Sequence, residues 1–471
     1  MSGRRRPAHG GVVTQMKTST DLCDSESDAE LPRPFEIESY RGLLQYPDVP
    51  VSTIRTPSGK RPVTEPLVDA IVVPTIRSAE HLRPAVQFAA ESHCHLIVLY
   101  SDERPDGLSA VLDALQPGQA TVLTVRSDTK HHLLDLGASL PQSLVAPPAL
   151  DISRKRNLGL LIGRVCGWTR MLFLDDDIRK LHVAKLCSAA ALLDRYPVVG
   201  LQVRKYPDAS VVGHARRMAG RRQELFVSGG SLLVNPQLLN GYFAPVYHED
   251  WLCVINHLRE REVAIGGSVG QLKYSPFGDP GRATREEFGD ILLSGLLWLV
   301  HARPRRGADP IADTAYWREA TKPRFWKQIL EQRAELLHDI SVRLAKNSDN
   351  SSSVSSSLSS LEAATRRLAD LSSAEFVSFM ERWLLTLAEW RDRLSVLSRV
   401  DLVDKAQAIE KALAELGLGQ IVGGGDEPSS EETSAAGTRW MGGFAPRWGR
   451  RAGADGHRVF GMKVWFLRRR L

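Results

Sequence analysis

The sequence lacks any apolar run long enough to cross a bilayer. Its greasiest stretch, ILLSGLLWLVHA from Ile291, is interrupted by Ser294 and falls well short of the roughly 20 residues a spanning helix needs. That stretch is expected to be a core helix. Cysteine is sparse: Cys23, Cys94, Cys166, Cys187 and Cys253 are dispersed and odd in number. No C-x-x-C pair marks a structural zinc or a redox site, which disfavours a disulfide framework and fits a reduced, cytoplasmic setting. MSGRRRPAHG opens with arginines, yet no apolar segment follows them, so it does not read as a secretory signal. No internal repeat is visible.

Charge of one sign is also missing over most of the chain. The formal net charge is +6, but nine Arg or Lys residues stand against one Asp between Arg439 and Leu471, so net +8 sits in that tail and the rest is close to neutral. A tail ending WFLRRRL, with Trp440, Trp448 and Trp465 nearby, could lie peripherally on an anionic membrane surface. No recognised nucleic-acid module surrounds it, so nucleic acid is the disfavoured partner and added solubility is the plain reading.

What is present is a chain of 471 residues, long enough for more than one domain. Residues 1–64 mix Pro and Ser around an acidic patch, DSESDAE, and are expected to form a partly disordered lead-in. An α/β domain is expected over 65–320. Ala70 to Val73 suit a central strand stopped by Pro74. Ser78 is placed to cap a helix with Leu82, Val86 and Ala89 at helical spacing. HLIVLY from His95, AVLDALQPG and TVLTVRSD from Thr121 continue the strand, helix, strand alternation of a sheet that is mixed but mainly parallel, with flanking helices. A helix is expected to begin near Asn157, with Gly159 and Gly163 allowing close packing on the sheet. MLFLDDD then ends a strand, PVVGLQV from Pro197 and ELFV from Glu224 supply further strands, and YHEDWLCVINHLR from Tyr247 reads as a helix opening on acids. Beyond it lie a helical extension at 321–346, a serine-rich linker at 347–360, a helical region at 361–417, and a Gly-rich linker with a basic Trp/Arg tail at 418–471. The C-terminal helices suit either a small domain or contact with a second copy.

Two constellations carry chemistry. If the strand of MLFLDDD persists, Asp175 and Asp177 alternate into one space and Asp176 turns away. Two converging carboxylates repel unless a cation neutralises them, and Mg²⁺ or Mn²⁺ commonly bridges carboxylates to phosphates. Pairing with Arg179 and Lys180 at a solvated helix cap is the plainer alternative. The second constellation is Arg154, Lys155 and Arg156, expected just before the Asn157 helix, where one arginine could contact phosphate. For Glu249 and Asp250, interaction with the helix dipole would by itself explain acids in a first turn.

Taken in order, VVPTIR, LYSD, SRKRNLGL, FLDDD, SGGSLLV and HEDW resemble the nucleotide-sugar-dependent glycosyltransferases of the A-type fold, particularly the family 2 group, over about residues 66–275. The resemblance implies that Pro74 and Thr75 line a nucleotide pocket, that Asp102 contacts the base, and that Arg156 and Asn157 belong to a loop approaching the donor. It further implies that Asp175 faces the ribose or the metal shell, and that Asp177 ligates Mg²⁺ or Mn²⁺ against the diphosphate of a nucleoside-diphosphate sugar. Gly229 and Gly230 would admit the acceptor, and Asp250, or less favourably Glu249, would deprotonate an acceptor hydroxyl in an inverting reaction. The acceptor class, whether glycan, natural product or small molecule, is not specified.

Where the family usually shows Asp-Asp-Gly-Ser, this chain has Tyr100, Ser101, Asp102, Glu103 and Arg104. No Gln-x-x-Arg-Trp follows the Glu-Asp pair, which argues against a processive synthase. No histidine occurs in GQLKYSPFGD, so one completing a metal shell would come from further along, such as His301, and His248 could assist donor or acceptor binding. Two other readings remain. A nucleotidyltransferase would be expected to carry glycines that PTIRSAEHLR lacks. A non-catalytic nucleotide-sugar or partner-binding protein would not need Asp177 or Asp250.

Overall fold

The computed structural model describes residues 35, 40–47, 68–101, 104–126, 130–136, 140, 143–145, 147–204, 209–221, 227–303, 313–346, 352–419 and 422–423. The chain up to Gly424 forms one compact unit, and the second unit, from Gly425, lies outside the described residues together with its tryptophans and basic tail. The N-terminal half alternates β1 (Ala70–Pro74), α1 (Arg83–Ser92), β2 (His95–Tyr100), α2 (Leu108–Leu112), β3 (Ala120–Val125), α3 (Pro147–Val165) and β4 (Met171–Leu174). There follow β5 (Ile178–Arg179), α4 (Val183–Ala191), β6 (Val198–Val203), α5 (Val211–Met218), β7 (Ser231–Val234), α6 (Glu249–Arg259) and β8 (Val263–Gln271). The C-terminal part comprises α7 (Pro280–Ala302), α8 (Asp313–Tyr316), α9 (Pro323–Lys346), α10 (Ser352–Asp370), α11 (Ser373–Val396), α12 (Lys405–Glu415) and the edge strand β9 (Val422–Gly423).

The strands make one mixed sheet in the order β5-β8-β6-β7-β4-β1-β2-β3-β9. β1 pairs in parallel with both β2 and β4, β2 with β3, and β6 with β8, while β7 runs antiparallel between β4 and β6. Strand alternation divides the core. Ala70, Val72, Met171 and Phe173 face the side covered by α3, α6 and α7, whereas Ile71, Val73, Leu172 and Leu174 face α1 and α4. Both faces of β1 and β4 are buried, which is why these strands read as continuous apolar runs instead of alternating ones. The architecture is Rossmann-like, with helices on both faces and a helical region appended at the C-terminal end. Among the described residues no helix is long and apolar enough to cross a membrane.

Several expectations are corrected. Ser78 does not cap through its side chain; a 3₁₀ turn at Ala79–Leu82 intervenes before α1, and the Ser78 hydroxyl meets His81 instead. α3 begins at Pro147, so Arg154, Lys155, Arg156 and Asn157 lie inside a helix and not in a loop before it. Two prolines are tolerated in a first turn, where their missing N–H groups have no intrahelical partner to lose, and the run Ala149–Ile152 extends the helix from there. Gly159 does permit close packing: a Cβ there would stand 3.0 Å from the Phe173 ring and 3.1 Å from Val72.

Residues 35 and 40–47 of the lead-in are among the described residues. Tyr40, Leu43 and Leu44 are buried, and Gln45 bridges β8, its N–H donating to Val263 O at 2.8 Å and its carbonyl accepting from Ile265 N–H at 2.9 Å. The serine-rich run is helical from Ser352, because Ser357, Ser360, Leu361 and Ala364 form one stripe that α10 buries against neighbouring helices. Small hydroxyl side chains fit a close helix contact there, and those of Ser357 and Ser360 bond back to Val354 O and Ser356 O. Ala412, Leu413, Leu416 and Leu418 are likewise core residues, and β9 falls inside the expected Gly-rich linker. The ELFV strand falls mostly outside the described residues; its described end, Val227, is buried beside β6, and the following apolar run is β7.

Candidate functional site

Parallel strands β1 and β4 are neighbours, and their connections leave in opposite directions: β1 leads to β2, and β4 lies on the other side. A crevice opens at the carboxyl ends of strands at such a switch point, and ligands of open α/β sheets bind there. Thr75 follows β1 and Asp175–Asp177 follow β4, so both segments lie at this end of the sheet. β7 brings Gly229 and Gly230 beside them, because β4 and β7 pair in antiparallel register with Leu174 opposite Ser231 and Asp175 N–H donating to Gly230 O at 2.9 Å. The amino end of α6 supplies Glu249 and Asp250.

β4 ends at Leu174, and the three aspartates form a turn closed by Ile178 N–H donating to Asp175 O at 3.1 Å. The expected strand alternation therefore does not set their directions; the turn gives each acid a different environment. Asp175 accepts from Arg156 Nη2 at 2.8 Å. Asp176, expected to turn away, accepts from Thr75 Oγ1 at 2.5 Å and pairs with Arg77 Nη1 at 2.9 Å. This ties the ends of β1 and β4 together and occupies the Thr75 hydroxyl. Asp177 leans towards β8, where Gln271 Nε2 donates to its Oδ2 at 3.2 Å, while its buried Oδ1 has no hydrogen-bond donor among the described residues. Burial, reinforced by the charge of Asp175, pushes the Asp177 carboxyl up to about 6.

Arg156 is the centre of the site. Its side chain is 4% exposed, and the guanidinium pairs with both Asp175 and Glu249 and lies over the Phe243 ring. Burial opposes its charge, but Asp175, Glu249 and Asp250 more than offset that and hold its pKa above the usual arginine value. Burial raises the pKa of Glu249, with Arg156 working against it and Asp250 adding to it. Asp250 is held by backbone donors: Gly229 N–H reaches Oδ2 at 2.6 Å and Trp251 N–H reaches Oδ1 at 2.8 Å.

The glycines stand where a side chain would collide with the site's own charged groups. A Cβ on Gly229 would stand 2.7 Å from Asp250 Oδ2 and 2.8 Å from Arg156 Nη1, and one on Gly230 would stand 2.7 Å from Asp175 Oδ2. They make room for the protein's own carboxylates and guanidinium. Asn157 pins the chain at Phe243: it donates to Phe243 O and accepts from Phe243 N–H, both at 2.9 Å. Pro74 is the buried last residue of β1. Asp102 lies outside the described residues. His301 stands at the far end of α7 with its ring against Tyr40. The Arg179 guanidinium donates to the Asp176 and Ile178 carbonyls, so the turn's side-chain acids are not paired with it as the plainer alternative would have it.

Three residues at the site, Arg77, Gln271 and Asp290, were not singled out from the sequence, and Lys155 was singled out only as part of a basic run. Lys155, 1% exposed, donates to Thr75 O at 2.9 Å, Ser101 Oγ at 2.7 Å and Asp151 Oδ2 at 2.7 Å, joining the ends of β1 and β2 to α3. The i,i+4 spacing of Asp151 and Lys155 was the available signal. Arg77 and Gln271 gave no signal, since their partners lie 99 and 94 positions away. Asp290 stands just before the apolar run that begins at Ile291 and drew no notice there. No group of three or more His, Cys, Asp or Glu side chains converges as a ready metal site among the described residues. No family model matches the chain, and no curated protein matches it either.

Proposed function

We propose that the chain is a glycosyltransferase of the A-type fold that moves a sugar from a nucleoside-diphosphate donor to an acceptor hydroxyl. The observation that carries this reading is the meeting of four separate segments, ending in Thr75, Asp175–Asp177, Gly229–Gly230 and Glu249–Asp250, at the switch-point end of the sheet with carboxylates in excess over cations. Asp177 fits a divalent cation: its Oδ1 is buried without a donor, and burial and Asp175 disfavour its ionised form. Asp175 and Asp177 would hold Mg²⁺ or Mn²⁺, with donor oxygens and water completing the shell, as is usual for Mg²⁺. When bound, the ion would offset charge on the leaving diphosphate.

The protein's own groups carry the remaining work. Arg156 fixes Asp175 and Glu249 relative to one another, and Asp176 locks the β1 and β4 ends through Thr75. Asp250, held by two backbone N–H groups, takes the proton of the acceptor hydroxyl as its oxygen bonds to the anomeric carbon and the bond to the diphosphate breaks. Glu249 is engaged with Arg156 and is the less suited base. The reading is tested by incubating the purified full chain with UDP-glucose, UDP-N-acetylglucosamine, GDP-mannose and dTDP-rhamnose, with and without Mn²⁺, and following thermal stabilisation and nucleotide release. Metal-dependent stabilisation that Asp177→Asn abolishes is expected. Absence of any metal-dependent response, with Asp177→Asn behaving as the parent does, overturns it.

A further inference from the structure

A second constellation of charge lies beneath the Glu249–Asp250 turn, inside the helix read from sequence as an apolar core element. Asp290, on α7, accepts from Arg333 Nη2 at 2.7 Å and from Ser210 Oγ at 3.0 Å, and its other oxygen faces His248 Nε2 at 3.1 Å. Arg333, from α9, also grips Glu287 through two bonds of 2.8 Å. Ser210 in turn caps α5 by accepting from Gly213 N–H at 2.9 Å. Three helices thus converge on one carboxylate, and the group it presents to the site is the imidazole immediately before Glu249 and Asp250.

Two further observations single out this imidazole. His248 sits in the left-handed region, φ 68° and ψ 33°, a conformation that a non-glycine residue keeps only where its surroundings over-determine it. Gly289, the neighbour of Asp290, has no room for a Cβ because the Tyr247 carbonyl lies directly against it. The backbone at 247–248 is therefore clamped by α7 from both the main-chain and the side-chain side. Burial disfavours charge on His248, but Asp290 outweighs it and raises the imidazole pKa; Asp290 itself is held low, because Arg333 and His248 more than offset its burial.

We propose that His248 and Asp290 are positioning residues: the His248–Asp290 pair fixes the left-handed turn that aims the Asp250 carboxylate at Gly229 N–H and so sets the geometry of the proton-accepting group. The inference rests on the proposed function only in naming Asp250 the base. The donor-side groups Thr75, Asp175 and Asp177 follow β1 and β4 and touch the turn only through the Arg156 link between Asp175 and Glu249, so the pair bears on turnover more than on donor binding.

Hydrogen–deuterium exchange on the full chain without ligand tests the positioning directly, because the Gly229 amide is protected by Asp250. His248→Ala is expected to speed exchange of the segment containing Gly229 by at least ~10-fold while β1 and β2 stay protected. His248→Gln, whose amide can donate from about the same place as Nε2, is expected to restore protection. Unchanged exchange in His248→Ala, or His248→Gln exchanging as fast as His248→Ala, overturns the proposal. If His248→Ala does not fold, Asp290→Asn is compared with His248→Gln: faster Gly229 exchange in Asp290→Asn alone supports the pair, and parent-like exchange in Asp290→Asn overturns it. With whichever donor of the panel the parent hydrolyses, His248→Ala should lower kcat by ~10-fold or more with KM within about 2-fold of the parent; an equal loss in both parameters also overturns the assignment. If the parent hydrolyses none of the four, the exchange result judges the pair, and the transferase reading stands or falls on the metal-dependent stabilisation described above.

Discussion

Replacing Asp177 by asparagine should stabilise the metal-free protein near neutral pH. In the folded chain this carboxyl is lifted from its ordinary value of 3.8 to about 6. A proton is therefore bound more tightly in the folded than in the unfolded state. The resulting stability is fully present below about pH 4 and is lost as the pH rises through about 6. Complete ionisation costs about 3 kcal/mol for a rise of this size, and partial solvent access to the side chain reduces that to roughly 1–3 kcal/mol.

Asparagine keeps an acceptor for Gln271 Nε2 and adds an amide donor beside Gln271 Oε1, which has no partner among the described residues. Chemical denaturation of parent and variant from pH 4 to pH 8 should show the variant ahead by roughly 1–3 kcal/mol at pH 8, with the gap mostly closed at pH 4. Mn²⁺ at saturating concentration should narrow the gap at pH 8 by stabilising only the parent. A variant no more stable than the parent at pH 8, or an advantage independent of pH, would refute the reasoning.

Three further outcomes follow from particular contacts. Gly229→Ala would push a methyl group into Asp250 and Arg156; a loss of about 1–3 kcal/mol in denaturation is expected, with nucleotide release falling further than stability accounts for. Arg333→Met leaves Glu287 and Asp290 buried and without their guanidinium, and should cost about 3–5 kcal/mol, read from the shift in denaturation midpoint. Ser360→Arg places a charge at a fully buried position of α10; limited proteolysis should then cut readily within 352–370, whereas a true linker would be cut equally in parent and variant.

The α/β class, the central strands and the placement of the aspartates after a parallel strand were all legible in the sequence, because strands buried on both faces must be apolar along their length. Ala70–Val73 and Met171–Leu174 could hardly be anything else. The ends of elements were less legible. Nothing local in SRKRN shows that the helix has already been running since Pro147, and serine composition alone does not distinguish a solvated linker from a helix whose small side chains fit against a neighbour. Residues 40–47 were obscured in the same way, since three apolar residues in a polar lead-in matter only when β8 is there to receive them.

The sequence by itself determined which chemistry was at hand: acids after a strand, glycines before another and acids opening a helix. Tertiary structure decided what each of them does. Asp176 became the lock on Thr75 and Arg77, Gly229 and Gly230 became clearance for the site's own carboxylates, Asn157 became a pin on Phe243, and Asp290, unremarked just before an apolar run, became the anchor of His248. The physical reason is that a carboxylate's function depends on its partners and its burial. Those partners stand 19, 42 and 101 positions away in the chain, beyond the reach of any local pattern.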